Sequence, residues 1–277
     1  MVDIGDRRLR VVRAGPASDR PTVVLEHGAF GCAADWAVVQ ARLAAKGLAS
    51  IAYDRAGLGH SEPGPKPRDG RAIVADLAAL LRALDEEGPF VLAGHSMGGL
   101  MVRLYALTHP DQVLGVVMVD AVTPDVISHP IGEKGVYAFT RILGWASEGA
   151  KFGMMRPVAA VAGDRIGLPP AASAEKRRIH GSAGHAHWAA EEVGQWRVTS
   201  DQARAGDFPA AMPIAVITAG AENTVTALKE IQSAPALASQ NGYIEHVAGA
   251  GHANLLGRRF ADPIVRGVEH VLATTHR

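Results

Sequence analysis

The feature that most constrains the fold is a regular alternation of short apolar runs with amphipathic helical patterns. Most of the runs are apolar on both faces, which is typical of parallel strands covered by helices on each side. Apolar residues at helical spacing lie between them, notably over Ile73–Leu84 and Ile264–Leu272. This alternation predicts an α/β domain built on a doubly wound, mostly parallel sheet. The predicted strands are Thr22–Glu26, Ala49–Tyr53, Phe90–Ala93, Gly115–Val119, Ile214–Thr218 and Tyr243–Val247.

Two segments depart from this alternation. Arg8–Arg13 is rich in arginine and partly alternating, which suits an exposed edge strand. The segment from 122 to about 208 contains helical fragments but no convincing strand, and a structureless connection of that length would be unusual. We therefore predict a core of residues 1–121 and 209–277 with a mainly helical cap, residues 122–208, inserted in it. Two ordinary crossover helices joined by a long loop are the alternative.

The composition argues against several classes of protein. The 28 Lys and Arg residues balance the 28 Asp and Glu residues, so no basic excess exists to attract nucleic acid or an anionic membrane. Cys32 is the only cysteine, which excludes an intrachain disulfide and a multi-cysteine metal site. The sequence shows neither a secretory signal pattern nor an apolar run of ~20 residues. We expect a cytoplasmic protein that acts on a small molecule, and homo-oligomerisation is left open.

The strongest chemical signal is the run Gly94-His95-Ser96-Met97-Gly98-Gly99, which follows a predicted strand and precedes a helical pattern. Gly-x-Ser-x-Gly in this context places a serine on a strained turn, with glycines that let strand and helix approach each other. The Ser96 hydroxyl would then stand at the start of a helix, where negative charge is favoured. The pattern predicts that Ser96 is a nucleophile.

A serine hydroxyl needs a base to take its proton. Among the 12 histidines, His252 is the best placed, because it lies in a small-residue loop after the last strand and before the final helix. The order serine before histidine along the chain also fits this kind of sheet. His246 falls within a predicted strand, and His95 and His60 are interpreted as loop residues beside glycines.

The loop that starts at His27 is where an oxyanion hole would form, since it follows the strand Thr22–Glu26. The donors needed there are backbone N–H groups, so the side chains matter little. We assign them to Ala29 and to Met97, the residue after the nucleophile. Phe30 supplies the first donor instead if the loop is shifted by one residue.

These motifs, together with Asp54-Arg55-Ala56-Gly57-Leu58-Gly59-His60-Ser61, occur in an order that resembles the α/β-hydrolase superfamily. The resemblance covers approximately Leu9–Ala121 and Pro213–Thr274. It implies hydrolysis of carboxylic esters or lactones through an acyl-serine intermediate, without a cofactor. It also implies that Asp54 and Arg55 are structural and hold the loop beside the oxyanion hole. The superfamily includes haloperoxidase-like proteins and lyases, so these activities remain alternatives.

The acid that orients the histidine departs from the commonest pattern of the superfamily. The turn after Ile214–Thr218 reads Gly220-Ala221-Glu222-Asn223, so an amide occupies the usual aspartate position. A neutral amide cannot stabilise the imidazolium as a carboxylate does. Asp120, at the end of the strand after the nucleophile's helix, is the favoured acid, and Glu222 is the alternative.

Weaker patterns lie in the predicted cap. His180, His185 and His187 with Glu191 and Glu192 suggest a metal site only faintly, and we predict none. Aromatic and sulfur-containing residues could line an apolar substrate pocket or pack the cap, and we assign substrate binding to Phe30, Trp188 and Trp196. The others in this set are Trp145, Met154 and Met155.

The sequence thus predicts a serine esterase or lactonase acting on a small to medium, rather apolar substrate, with Ser96, His252 and Asp120 as its triad. A haloalkane dehalogenase is disfavoured, because that chemistry uses a carboxylate at the position of Ser96. A second class of function is a small-molecule receptor that retains a slow triad and uses the cap as its moving part.

Overall fold

A seven-stranded sheet forms the centre of the molecule, and a computed structural model describes residues 1–17, 19–220 and 227–274 of the chain. Its strands are β3 (Val11–Ala14), β4 (Val23–Glu26), β5 (Ser50–Tyr53), β6 (Phe90–His95), β7 (Val113–Val119), β8 (Ile214–Ala219) and β9 (Gly242–Val247). Their order across the sheet is β3-β5-β4-β6-β7-β8-β9, and only β3 runs antiparallel to its neighbour. The predicted mostly parallel sheet is therefore confirmed.

Helices cover both faces of this sheet, because alternate residues of each buried strand point to opposite sides. One side chain of β4, Val24, packs with helices α2 and α3, whereas its neighbour Leu25 packs with α1 and α11. The covering helices are α1 (Ala37–Ala45), α2 (Gly70–Ala83), α3 (Gly98–Thr108), α10 (Ala227–Ala238) and α11 (Asp262–Thr274). The doubly wound arrangement follows from strands that are apolar on both faces.

The arginine-rich edge strand is broken in two, unlike the single strand predicted over Arg8–Arg13. A short β2 (Arg8–Leu9) pairs with β1 (Val2–Asp3), and β3 alone joins the main sheet at its edge. The break falls at Arg10, whose N–H donates to Ser61 Oγ at 2.8 Å and whose carbonyl accepts from the Asp54 N–H at 3.0 Å. These bonds to a loop replace the regular strand ladder.

Six helices occupy the chain between β7 and β8, and no strand interrupts them. They are α4 (Pro124–Ser128), α5 (Pro130–Lys151), α6 (Met155–Ala162), α7 (Pro170–His180), α8 (Ala183–Gly194) and α9 (Trp196–Ala203). Helix α9 packs on α2 and α3, and α7 packs on a buried turn at Ala33–Trp36. The helical character predicted for residues 122–208 is therefore present, while their role as a separate cap stays a prediction.

Helix length and composition bear on membrane insertion. Across the described parts of the chain, no helix combines the length and the apolar character that crossing a bilayer would require.

Candidate active site

Ser96 stands on a sharp turn between β6 and α3. Its φ of 55° lies in the left-handed region that non-glycine residues rarely adopt. The turn is held by the Ser96 N–H, which donates to the Val119 carbonyl of the neighbouring strand at 3.1 Å. The Ser96 carbonyl accepts from the N–H groups of Gly99 and Val122. The Ser96 backbone is thus fixed by hydrogen bonds within the motif, to the end of β7 and to the segment that follows it.

The glycines of the motif have the steric role that the sequence predicts. A Cβ on Gly94 would lie 2.5 Å from the carbonyl oxygen of Gly98, and a Cβ on Gly98 would lie 2.5 Å from the carbonyl oxygen of Glu26. Both distances are too short for real contacts, so strand and helix can approach only because these residues are glycine. Gly28 also lies close to Ser96, since a Cβ on Gly28 would lie 3.0 Å from that of Ser96.

His252 and Asp120 meet although 132 residues separate them in the chain. His252 Nδ1 lies 2.6 Å from Asp120 Oδ2, and the other carboxylate oxygen accepts the Ala219 N–H at 3.3 Å. Asp120 immediately follows β7 and has a φ of 41°. His252 lies in the loop after β9 and lines the same cavity as Ser96. The structure therefore brings these three predicted residues to one edge of the sheet.

The surroundings keep the Asp120 carboxylate ionised. Burial raises its pKa, but the hydrogen bond and the charge of His252, together with the Ala219 N–H, lower it more, so that the pKa lies below its usual value. An ionised carboxylate on Nδ1 leaves Nε2 of His252 as the ring nitrogen available to a serine proton. The alternative acid, Glu222, and its neighbour Asn223 lie outside the described residues.

His95 contacts His252, a role that its predicted place in a loop beside glycines does not indicate. It is instead the last residue of β6 and is buried. Its Nε2 lies 3.0 Å from the His252 carbonyl oxygen, and the two rings are 4.7 Å apart between centroids. Burial and the neighbouring His252 lower the pKa of His95 to about 3, so it is neutral and its Nε2–H donates to that carbonyl. His95 thereby tethers the loop that carries His252.

The loop after β4 carries the predicted oxyanion donors Ala29 and Phe30. Within the described parts of the chain, the backbone N–H groups of Ala29, Phe30 and Met97 donate to no backbone acceptor. Phe30 has a φ of 56°, and Ala29 and Phe30 line the cavity. The Met97 side chain is buried in the core, so only its backbone could serve the site. The donors predicted at Ala29, Phe30 and Met97 thus make no competing hydrogen bond to the described backbone.

Arg55 binds the backbone of this loop. Its guanidinium donates to the His27 carbonyl at 2.7 Å and to the Gly28 carbonyl at 3.1 Å. It also forms buried ion pairs with Glu26 at 2.5 Å and Glu192 at 2.8 Å. Burial alone would lower the pKa of Arg55. The two carboxylates raise that pKa by more than burial lowers it, so the guanidinium stays charged. The structural role implied for Arg55 agrees with these contacts.

A cavity of about 520 Å³ opens above Ser96. Its walls come from the core loops and from the helices between β7 and β8. The apolar part of the lining is Ala29, Phe30, Phe139, Met155, Val158, Ala159, Ile166, Trp196 and Ala253. An apolar enclosure of this volume suits a small to medium ligand.

The predicted aromatic residues fall into two groups. Phe30 and Trp196 line the cavity, and Trp196 is buried with an exposed fraction of 7%. Trp188 does not line it, because its indole covers Gly57, where an added Cβ would lie 2.3 Å from the ring, and stacks under Lys66 Nζ. The structure thus places Trp188 outside the cavity, in contrast to the prediction that it binds substrate. Trp145 is exposed on α5 at 68%, whereas Met155 lines the cavity.

The histidines of α7 and α8 lie in aromatic surroundings. His180 and His185 stack on each other with ring centroids 5.4 Å apart, and both contact the Phe30 ring. The nearby Glu192 is paired with Arg55. No cluster of three or more metal-binding side chains occurs among the residues described. His180 and His185 thus pack against Phe30 in the loop after β4.

A buried ion pair in the cavity wall also escaped the sequence interpretation. Lys176 of α7 pairs with Asp35, and both side chains line the cavity. Asp35 belongs to a turn just beyond Cys32 and accepts the Cys32 N–H at 3.4 Å. Burial raises the pKa of the Cys32 thiol well above its ordinary value, which makes it unreactive.

Comparison with known proteins agrees with this architecture. A family profile described as the alpha/beta hydrolase fold matches residues 21–137. A non-heme chloroperoxidase of Streptomyces lividans is 37% identical over 123 residues, which cover 44% of this chain and 44% of that protein. A fluoroacetate dehalogenase of Burkholderia sp is 33% identical over 126 residues, which cover 44% of this chain and 40% of that protein. Each alignment thus spans less than half the length of the curated relative.

Solved structures match over nearly the whole chain. An esterase from Thermogutta terrifontis superposes with a TM-score of 0.69 at 19% identity, covering 98% of this chain and 95% of that one. The enol-lactonase from Burkholderia xenovorans LB400 gives 0.66 at 20% identity, covering 97% and 98%. At these identities the likeness shows the fold alone. Together with the family profile over residues 21–137, it shows that the chain has the α/β-hydrolase fold.

Proposed function

We propose that this protein is a serine hydrolase that cleaves a carboxylic ester or lactone through an acyl-serine intermediate. The observation that carries the proposal is the 2.6 Å contact between His252 Nδ1 and Asp120 Oδ2, beside a serine on a strained turn. A histidine whose Nδ1 is held by a carboxylate is oriented to act as a general base through Nε2.

The first half of the reaction forms the acyl-enzyme. Ser96 Oγ attacks the carbonyl carbon while His252 Nε2 takes its proton. The Asp120 carboxylate stabilises the imidazolium, and the Met97 N–H together with that of Ala29 or Phe30 stabilises the oxyanion. One such donor typically contributes ~3–4 kcal/mol to the transition state. The imidazolium then protonates the leaving alcohol, and the carbon–oxygen bond to that alcohol breaks.

The second half releases the acid. His252 takes a proton from water, the resulting hydroxide attacks the acyl carbon, and Ser96 leaves with the proton that His252 returns. For a lactone the leaving alcohol stays attached to the acyl chain throughout, so the product is a hydroxy acid. All groups required for these steps belong to the protein or to water.

A serine nucleophile argues against a reaction that displaces halide from an alkyl carbon. A carboxylate that displaces halide forms an ester, which water can hydrolyse at its carbonyl. Ser96 in the same role would form an ether without a carbonyl, and turnover would stop. We therefore do not extend to this chain the activity named for the dehalogenase relative. The chloroperoxidase relative supports haloperoxidase-like activity as the second candidate.

A substrate panel tests the proposal. Wild-type protein and Ser96→Ala should be assayed with p-nitrophenyl esters and simple lactones of increasing chain length. We expect multiple turnovers by the wild type, and loss of ~10⁴-fold or more in the variant. A single turnover per molecule would instead favour the receptor hypothesis. Turnover that persists in Ser96→Ala would contradict acyl-serine chemistry.

A further inference from the structure

A second space in the protein, a recess of about 470 Å³, is rich in arginine. Its charged side chains are Arg165, Arg258, Arg259 and Asp164, so its lining has an excess of two positive charges. The chain as a whole has no net charge. Positive charge is therefore concentrated at this place, which we call the arginine recess.

Contacts within the protein hold the recess in shape. The Asp164 carboxylate accepts the Gly167 N–H at 3.1 Å, and the Gly167 carbonyl accepts from Arg258 Nε at 3.2 Å. The Arg259 guanidinium lies over the Phe260 ring, 5.0 Å from its centroid. A guanidinium that lies over a ring keeps its in-plane N–H groups free for other partners. The arginines are thus positioned before any ligand binds.

The recess offers many hydrogen-bond donors and few acceptors. Among the residues that the structure describes, the guanidiniums of Arg165 and Arg259 donate to no acceptor, and Arg258 donates only through Nε. Asn254 Oδ1 accepts a backbone N–H at 2.7 Å, which directs its amide oxygen away from a ligand. The Asp164 carboxylate is likewise taken up by backbone N–H groups. The unused groups are therefore cationic donors.

The recess borders the cavity above Ser96. Arg165 and Ile166 line both spaces, and the loop that carries His252 on the cavity side carries Asn254 on the recess side. Arg165 is exposed, so it lies at the rim that the two spaces share. A substrate with its ester at Ser96 and a chain that leaves the cavity past Ile166 would bring its far end to the arginines.

The chemistry of the lining selects an anion. A neutral oxygen could accept a hydrogen bond from one guanidinium, but only a charged oxygen group also gains from the positive excess. A carboxylate matches the planar guanidinium, because its two oxygens can accept two parallel N–H groups. An ammonium group would be repelled by the same charges.

We infer that Arg165, Arg258 and Arg259 form a subsite for a carboxylate that the substrate carries at the end remote from its scissile carbonyl. The substrate class is then a half-ester of a dicarboxylic acid, or an ester or lactone whose apolar chain ends in a carboxylate. This assignment rests on the proposed function. The apolar chain between the two ends would lie against the cavity wall, which includes Met155 and Ile166.

The test compares substrates that differ only in the charge of the far end. The probes are monomethyl adipate, suberate and sebacate, each set against the methyl ester of the corresponding monoamide, which has the same shape without the charge. The acetate ester of ω-hydroxyoctanoate and its amide examine the alcohol side. We expect the best carboxylate substrate to exceed its amide by about 10-fold in kcat/KM at low ionic strength.

Salt dependence separates charge from shape. The preference for the carboxylate should fall below about threefold in about 0.5 M NaCl, because salt screens exposed charges. A preference that is set by the shape of the cavity would not respond to salt, and that result would contradict the subsite.

Variants assign the preference to the recess. Arg165→Gln/Arg259→Gln removes two guanidiniums that donate no hydrogen bond in the described protein, and the carboxylate-to-amide ratio should fall below about threefold. Arg165→Glu/Arg259→Glu should reverse the selection, so that methyl ω-aminooctanoate becomes a better substrate than monomethyl suberate. The matched control is Arg71→Gln/Arg82→Gln, which removes two exposed arginines of α2 on the opposite face of the sheet from α11. It should retain the wild-type ratio.

The outcomes separate this inference from the proposed function. Hydrolysis of carboxylate and amide substrates at equal rates, or a preference that survives Arg165→Gln/Arg259→Gln, overturns the subsite and leaves the hydrolase intact. An equal loss of the preference in the control also overturns it, because the effect would then come from overall charge.

If the wild type hydrolyses no ester, the proposed function fails, and the subsite is judged by calorimetric binding of suberate against suberamide. Tighter binding of suberate that is lost in Arg165→Gln/Arg259→Gln and kept in the control supports the subsite. Equal binding of the two compounds overturns it.

Discussion

At the scale of single residues, the site is built on backbone conformations that side chains rarely adopt. Ser96, Asp120 and Phe30 have φ values of 55°, 41° and 56°, and Ser96 and Asp120 directly follow the neighbouring strands β6 and β7. Each such conformation costs of order 1–3 kcal/mol, which the surrounding fold must supply. Two of these residues, Ser96 and Phe30, line the cavity, and Asp120 contacts His252, which also lines it.

The orienting acid gives the first prediction. Asp120→Asn should lower kcat by ~10²–10⁴-fold, because an amide cannot stabilise the His252 imidazolium. Glu222→Gln is the matched carboxylate-to-amide control and should change kcat less than about tenfold. Steady-state turnover of one ester by both variants checks this. A Glu222 variant that is inactive while Asp120→Asn remains active would reverse the assignment.

Sequence reasoning finds a site residue when its signal is local. Ser96 lies within a motif of six residues, and Asp120 and His252 could be inferred from their positions just after strands. His95 and Lys176 have no such signal, because their roles depend on contacts with His252 and Asp35, which are 157 and 141 residues away in the chain. Such contacts become visible only after the helices and loops are placed.

At the scale of elements, the helices between β7 and β8 are joined to the core at the loop after β4, which begins at His27. The Arg55 guanidinium binds Glu192 of α8 on one side and the His27 and Gly28 carbonyls on the other. All three charged side chains in this network, Glu26 included, are fully buried. Removing one partner of a buried ion pair is strongly destabilising, so this connection fixes α8 against the loop.

The two tryptophans of neighbouring helices give an element-scale prediction. Trp196→Ala should change the preference for long over short esters by about 10-fold, because Trp196 lines the cavity. Trp188→Ala removes an indole of the same size that covers Gly57 outside the cavity, so it should lower thermal stability without altering that preference. Ratios of kcat/KM for p-nitrophenyl octanoate and acetate measure the effect. If the ratio of kcat/KM changed equally in both variants, the effect would come from general destabilisation of the helices and not from the cavity.

The bounds of strands with continuous apolar runs could be predicted from the sequence. A strand break that is set by hydrogen bonds to a distant loop could not. The predicted strands agree with β4 to β9 to within two residues at each end. The residues of β4 to β8 are almost all buried, as their apolar runs indicate, whereas most of β9 is half-buried. The break between β2 and β3 arises from hydrogen bonds that Arg10 makes with a distant loop. Similarly, the six helices after β7 follow from their pattern, but which aromatic side chains face the cavity depends on how those helices pack.

At the scale of the whole molecule, buried neutral histidines accumulate around the site. Burial lowers the pKa of His95 and His185 to about 3, and burial with the charge of Lys176 lowers that of His180 to about 2. His185 Nδ1 accepts the Gly59 N–H at 3.1 Å, which requires the unprotonated nitrogen. Below the ordinary histidine pKa, these three residues therefore bind fewer protons in the folded protein than in the unfolded chain.

This difference predicts how stability depends on pH. Between the ordinary histidine pKa of 6.5 and about 3, the unfolded state binds more protons than the folded state, so stability falls as the pH falls. Each of the three residues contributes about 1.4 kcal/mol per pH unit in this window. His180→Phe should reduce the slope by that amount, measured by urea unfolding between about pH 6 and about pH 5. An unchanged slope would mean that His180 is protonated in the folded protein.

The most direct test of the central claim is mass spectrometry of the intact protein after treatment with a fluorophosphonate. An activated serine reacts at its Oγ and displaces fluoride, whereas an ordinary serine does not. We predict a single adduct on the wild type, located at Ser96 by peptide mapping, and none on Ser96→Ala. Labelling of the Ser96→Ala variant, or failure of the folded wild type to react while it hydrolyses esters, would contradict acyl-serine catalysis at this site.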